Sequence, residues 1–368
     1  MNYNFPMQPH TSTLPKPHFR PSDRSFQLEL NQRVSAYFRH NQVLPKAPAS
    51  LKVKAAFLYV LFFGIYLSFF LVQQNFYSVV ALACSMVAVI FLLGMNVMHE
   101  CAHGTYFKNS ALTKLSYCTW DFFGISGDLY RLKHQHLHHD FTNITAWDGD
   151  MDLSYPLLRF NPNRPLLPRH RKQNLYALPL YSLLTLSWIF FSDFSAISSK
   201  KICNYPMKPL KKKTLLKIFV FKGINIFLFL VLPSLYFPFW KVLGTFLFVQ
   251  MALGILFSLI FQVAHLNEKV KFVISETGNI SNDFAIHQLA TTSNFATGNA
   301  FWRFALGGLN FQVEHHLFPS ISHVYHPELQ KIVRQLCTER DVPYLEFSTF
   351  REAIASHFRF LKKLGQTP

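Results

Sequence analysis

The chain's apolar residues gather into long charge-free runs set between polar, basic stretches. Ala55 to Val72 and Tyr77 to Met98 carry no charged residue. At about 1.5 Å of rise per residue, each can cross a hydrocarbon core of roughly 30 Å, so both are predicted to be spanning helices. Gly223 to Trp240 and Val242 to Ala264 form a second uncharged pair, divided by Lys241. The pattern predicts an all-α integral membrane protein with four transmembrane helices arranged as two hairpins. Interfacial helices and a cytoplasmic helical cap complete the expected fold.

The segments between the runs are read from their breaks. Leu112 to Tyr130 is expected to be a helical or re-entrant segment, broken at Gly124 and Gly127. Tyr176 to Phe191 is apolar but short for a span and ends against Asp193. A crossing there would leave the histidines near position 135 and those near 315 on opposite membrane faces. It is therefore expected to be an amphipathic helix lying at the interface. Pro156, Pro162, Pro165 and Pro168 mark a loop. Pro327 to Arg340 has helix-compatible spacing, with a short tail after it. The expected organisation is a cytoplasmic segment over residues 1–54, a membrane domain over 55–323, and a helical cap and tail over 324–368.

Composition and charge sharpen this picture. Of 368 residues, 50% are apolar and 40 are Phe, which suits a large soluble core or a membrane protein; the charge-free runs favour the membrane. Lys16, Arg20, Arg24, Arg33, Arg39, Lys46, Lys52 and Lys54 precede the first run, whereas the connection Gln73 to Phe76 is uncharged. The positive-inside rule puts the N-terminus in the cytoplasm, and four crossings return the C-terminus there. The first run lies too far along the chain for a cleaved export signal. A net charge of +17 without a nucleic-acid recognition module points to anionic lipid headgroups rather than nucleic acid. Cys84, Cys101, Cys118, Cys203 and Cys337 are dispersed, which suggests neither a disulfide framework nor a thiolate metal site.

Histidines carry the candidate chemistry. His99 and His103 stand four apart at the end of the second run and share a helical face, so they can bind one metal or flank two. His134 and His138 share a face in the same way, while His139 points about 100° round the helix. His136 faces elsewhere and is better read as solvated or supporting. His315 and His316 follow Gln312-Val-Glu314, and His265 ends the fourth run. The predicted topology places all of them on one membrane side. Zinc needs about four ligands, so these eight histidines imply two metals, and imidazole suits iron, copper, nickel and zinc alike.

The boxes Asn96-Val-Met-His99-Glu-Cys-Ala-His103-Gly, His134-Gln-His-Leu-His138-His139-Asp140-Phe-Thr-Asn143 and Phe311-Gln312-Val-Glu-His315-His316-Leu-Phe-Pro resemble the membrane fatty acid desaturase family. The likeness runs from about Met95 to Tyr344 and includes the segment around His287. It is nearest to bacterial acyl desaturases of the front-end, linoleoyl-CoA desaturase-like group, in which a glutamine typically stands where other members have histidine, as Gln312 does here. The resemblance implies two iron ions held by His99, His103, His134, His138, His139, His265, His315, His316 and Gln312, with O2 as co-substrate and a cis double bond as product. Supporting roles are expected of His136, His287, Glu314, Asp140 and Asn143, with Glu100, Asp148, Asp150 and Glu268 as further candidate carboxylates. No His-Pro-Gly-Gly haem motif is present, which implies a separate ferredoxin or cytochrome-type electron donor. The implied substrate is a fatty acyl chain and the implied location a bacterial inner membrane. A fatty acyl hydroxylase of the same superfamily is the nearest alternative, and a non-catalytic metal or haem protein a remote one.

Overall fold

The computed structural model describes residues 14–19, 24–73, 75–151 and 155–367; Arg20 of the basic N-terminal stretch and Gln74 of the first connection lie outside the described residues. Helix α1, Ser25–His40, comes first. The membrane-length helices α2, Ala49–Leu71, and α3, Phe76–Ala102, follow. Apolar composition drives them into lipid or against each other, and the outward faces stay unburied: only 17% of α2's apolar window is covered by protein. α3 begins with a reciprocal cap between Asn75 and Ser78. It widens into a π-helical turn over Gly94–Met98 before delivering His99.

After two short helical segments comes α4, Gly127–Lys133, which runs into a second π-helical turn, His134–His138. The helices α5, Pro168–Tyr181, and α6, Leu184–Ser199, are bent from one another by 67°. α7, Lys212–Ser234, and α8, Phe239–His265, are the other two helices of spanning length. Three further helices belong to the description of the site: α9 (Phe284–Thr291), α10 (Gln312–Leu317) and α11 (His326–Glu339). The last helix, α12, is Phe350–Leu364. Strands are confined to two-residue pairs among the described residues, such as Asn294–Phe295 with Glu346–Phe347.

Three sequence expectations are corrected. The third long helix lies earlier than the charge-free run: it starts at Lys212 and stops at Ser234, where the chain turns before Pro238 caps α8. Lys217 and Lys222 fit inside it because carboxylates neutralise them, Lys217 with Asp121 (3.0 Å) and Lys222 with Asp193 (2.9 Å). The apolar segment after residue 175 is not one helix but two, bent from one another by 67°. Its bend packs against the middle of α8, where Thr185 Oγ1 donates to Gln250 O (2.7 Å) and a Cβ on Gly254 would lie 2.5 Å from Ser182 O. The expected short tail is the amphipathic helix α12, which starts with a reciprocal cap between Thr349 and Glu352 and buries Ala353, His357, Leu361 and Leu364.

The principal core joins Leu58 and Phe62 of α2, Met86 and Leu93 of α3, and Leu253, Phe257 and Ile260 of α8. Trp120 and Trp188 close it on the side of the second histidine box. A second core packs Phe26, Leu30 and Val34 of α1 against Leu289, Val313, Leu329 and Val333. Each histidine box is anchored on packed residues: Met98 and Ala102 belong to the first core, Val313 to the second, and Leu137 and Phe141 to a third.

Candidate metal centre

Of the four π-helical turns among the described residues, Gly94–Met98 adjoins the first histidine box and His134–His138 carries the second, and such single-turn expansions are frequent at functional sites. His99, His103, His134 and His315 each offer a ring nitrogen, all within 4.8 Å of one another. His138, His265 and His316 form a second group within the same limit. His139 sits between them, its ring 4.3 Å from that of His316 and 4.6 Å from that of His315. Residues from four distant parts of the chain thus converge on one buried centre. His134 and His138 are parallel and 5.5 Å apart, and together with Asp150 they form a third group within the same limit.

The imidazoles meet nitrogen to nitrogen. His99 Nε2 lies 3.0 Å from His134 Nε2, and His139 Nε2 lies 3.3 Å from the same atom. His103 Nε2, His315 Nε2, His316 Nε2 and His139 Nδ1 are buried without a hydrogen-bond partner. Burial, reinforced by neighbouring imidazoles, holds His103, His139, His315 and His316 well below the usual imidazole range. These rings are therefore neutral, with lone pairs available. Unpaired buried nitrogens converging from several rings are costly in a dry interior, and metal ions would satisfy them.

Carboxylates orient two of the rings from behind. Burial opposes the cation of His138, but Asp148, 3.0 Å from its Nδ1, outweighs that and raises its pKa. Asp150 stands 3.4 Å from His134 Nδ1; here burial prevails and the pKa is lowered. The Nδ1 of His316 meets Gln288 Oε1 and Thr142 Oγ1, each at 3.1 Å. His265 Nδ1 faces Thr291 O at 3.4 Å. Such partners behind metal-binding imidazoles fix tautomer and ring direction.

The other candidates separate clearly. Gln312 is buried, donates from its amide to Leu309 O (2.7 Å) and lines the pocket at the centre together with His265. Asn143, at φ +55°, donates to His265 O (3.0 Å) and to Lys271 O and Thr291 O, tying the end of α8 to the second box. Glu314 turns away from the imidazoles, accepting from Asn294 (2.7 Å) and Tyr344 (2.8 Å), and burial pushes its pKa up to about 7. His287 is buried against Thr142 O (2.9 Å), outside both groups. His136 and Asp140 are exposed, and Glu268 pairs with Arg359 at 2.7 Å. Sequence reasoning missed His323, which pairs with Glu100 (2.9 Å), and His326, whose ring lies 5.9 Å from that of His315. Their three-residue spacing on a short helical turn was the available signal.

A pocket of about 20 Å³ opens on the centre, lined by the polar residues His99, His134, His138, Asp150, His265 and Gln312. Tyr130, Met151, Trp188 and Phe261 complete its lining. A larger cleft of about 650 Å³ lies between the long helices near their opposite ends, lined by Phe70, Phe76, Phe229 and Phe237 among others.

Fold and site together define a helical protein with four membrane-length helices and a buried polyhistidine centre compatible with metal binding. Residues 75–348 match the fatty acid desaturase family, and the chain belongs to that family. It is 32% identical over 347 residues to the sn-1 linoleoyl-lipid 6-desaturase of Synechocystis sp., covering 93% of this chain and 96% of the relative. It is 34% identical to the acyl-lipid (8-3)-desaturase of Physcomitrium patens, covering 94% of this chain and 72% of that one. The sn-1 linoleoyl-lipid 6-desaturase of Arthrospira platensis is 28% identical, with 97% of both chains covered. The protein is a membrane-associated fatty acid desaturase of the front-end type, an oxidoreductase acting on fatty acyl chains.

Proposed function

We propose that the chain binds two iron ions, one among His99, His103, His134 and His315 and the other among His138, His265 and His316, with His139 between them. The convergence of these rings, several with unpartnered nitrogens, carries the reading. Iron bound there supplies the oxygen-activating redox chemistry that cleavage of an unactivated methylene C–H bond requires, beyond the reach of acid–base side chains. The protein's own residues hold and shield. Asp148 and Asp150 fix His138 and His134, and Gln312 lines the pocket beside His265. Tyr130, Trp188 and Phe261 keep water from the pocket where a methylene would rest.

The substrate is an acyl chain on a membrane lipid, in line with the acyl-lipid names of the relatives, and the new cis double bond enters between an existing one and the carboxyl end. In this reading α2 with α3 and α7 with α8 form two hairpins, and the histidines, the cap helices and both termini lie on the cytoplasmic face of a bacterial inner membrane. Electrons come from a separate ferredoxin or cytochrome-type protein. Expression in a host fed linoleoyl groups, followed by mass spectrometry of fatty acid methyl esters, tests the function. The reading expects an alkene two mass units lighter than its precursor, absent from a His138→Ala His139→Ala control. A product about sixteen units heavier would make the enzyme a hydroxylase.

A further inference from the structure

Lys222 lies within α7, a helix of membrane-crossing length, and is only 6% exposed. An ammonium group there is costly unless protein atoms replace its water. Four do: Asp193 Oδ2 at 2.9 Å, and the carbonyls of Ile189 at 2.6 Å, Gly124 at 2.8 Å and Trp188 at 3.3 Å. Stability alone explains this poorly, because apolar replacements of buried ion pairs are often neutral or stabilising.

The partners share a location. Gly124, at φ +81°, belongs to the turn that leads into α4. Two residues on, Ser126 N donates to the same Asp193 oxygen (3.0 Å), while Ser126 Oγ accepts from Leu129 N (3.3 Å) and caps α4. α4 carries Tyr130 and runs directly into His134. Trp188 and Ile189 lie in a π-helical turn, Trp188–Ser192, within α6. Tyr130 and Trp188, held 6.2 Å apart, both wall the pocket at the histidines, and Tyr130 also stacks on His134 (5.2 Å) and on Trp120 (3.8 Å). One ion pair therefore ties a long helix to the backbones that carry both aromatic walls.

We propose that the Lys222–Asp193 ion pair is a positioning device that fixes Trp188 and Tyr130 against the histidine pocket and so decides which methylene of the acyl chain is presented for desaturation. The proposal rests on the desaturase reading above. Displacing the wall by about 1 Å is enough to change the rate at a given carbon on the order of a hundredfold.

The test uses the full chain in the same host, with double bonds located by dimethyl disulfide derivatisation and iron measured on purified protein. Lys222→Met combined with Asp193→Asn removes both charges, so neither is stranded; Trp188→Phe alters the wall directly. Both variants are expected to keep wild-type iron content while the share of neighbouring positional isomers rises roughly tenfold. An unchanged single isomer from the double variant, at wild-type iron content, overturns the proposal. So does a mixture from the double variant with none from Trp188→Phe, since the effect would then bypass Trp188. If the double variant does not accumulate, Trp188→Phe decides alone, and an unchanged product overturns. Failure of the desaturase reading shows elsewhere, as a wild-type chain making an alcohol or no new product, and takes this proposal with it.

Discussion

The Asp148 carboxylate faces His138 Nδ1 at 3.0 Å and accepts from the backbone amides of Asn143 (2.8 Å), Asp150 (2.9 Å) and Met151 (3.3 Å). Three amides hold it in place, so it can in turn hold the imidazole. Asp148→Asn is expected to lower metal affinity by roughly ten- to a hundredfold, measured by competition with a chelator, whereas Asp140→Asn, at an exposed position, leaves it unchanged. Arg159, fully buried, is supportive in another way. Its guanidinium donates to the carbonyls of Pro162, Arg164, Leu364 and Thr367, closing the C-terminal end of α12. Arg159→Met should cost on the order of 3 kcal/mol, seen as earlier thermal unfolding in detergent, and Arg159→Lys should recover only part because it lacks the planar fork. At this scale the histidines were legible, because their spacing is itself the signal. Asp148 was not separable in sequence from Asp140 or Glu268, since only folding decides which carboxylate comes to lie behind a ring.

Helix existence was easier to read than helix limits. The charge-free criterion placed the third long helix too late because it treats Lys217 and Lys222 as excluded, and their neutralising aspartates come from segments distant in sequence. It also missed α12, whose buried face is an amphipathic stripe rather than an apolar run. The bend between α5 and α6 depends on Gly254: a Cβ there would meet the backbone oxygens of Ser182 and Tyr181 at 2.5 and 2.7 Å. Backbone cannot swing aside as a side-chain tip can. Gly254→Ala should therefore destabilise by about 1–3 kcal/mol, while Gly244→Ala on the same helix, with open space around it, should be close to neutral; thermal midpoints in detergent compare them.

Across the molecule, buried neutral histidines link stability to pH. Burial pushes His287 and His357 down to about 4 each, against an ordinary imidazole value near 6.5. The unfolded chain then binds more protons between those values, so the stabilisation is complete above pH 6.5 and is lost as pH falls towards 4. The thermal midpoint is expected to fall over that window, and His357→Gln should make the fall shallower. The family and its chemistry were legible in three boxes, whereas the packing that brings His265 to His138 and His316 was not. The measurement closest to the central claim is the metal content of the full chain purified from iron-supplied cells, beside His138→Ala and His315→Ala. About two irons per chain are expected, with iron reduced in each variant while membrane insertion persists. A wild-type chain without iron, or variants that retain both ions, would contradict the assignment of these histidines as a two-iron centre.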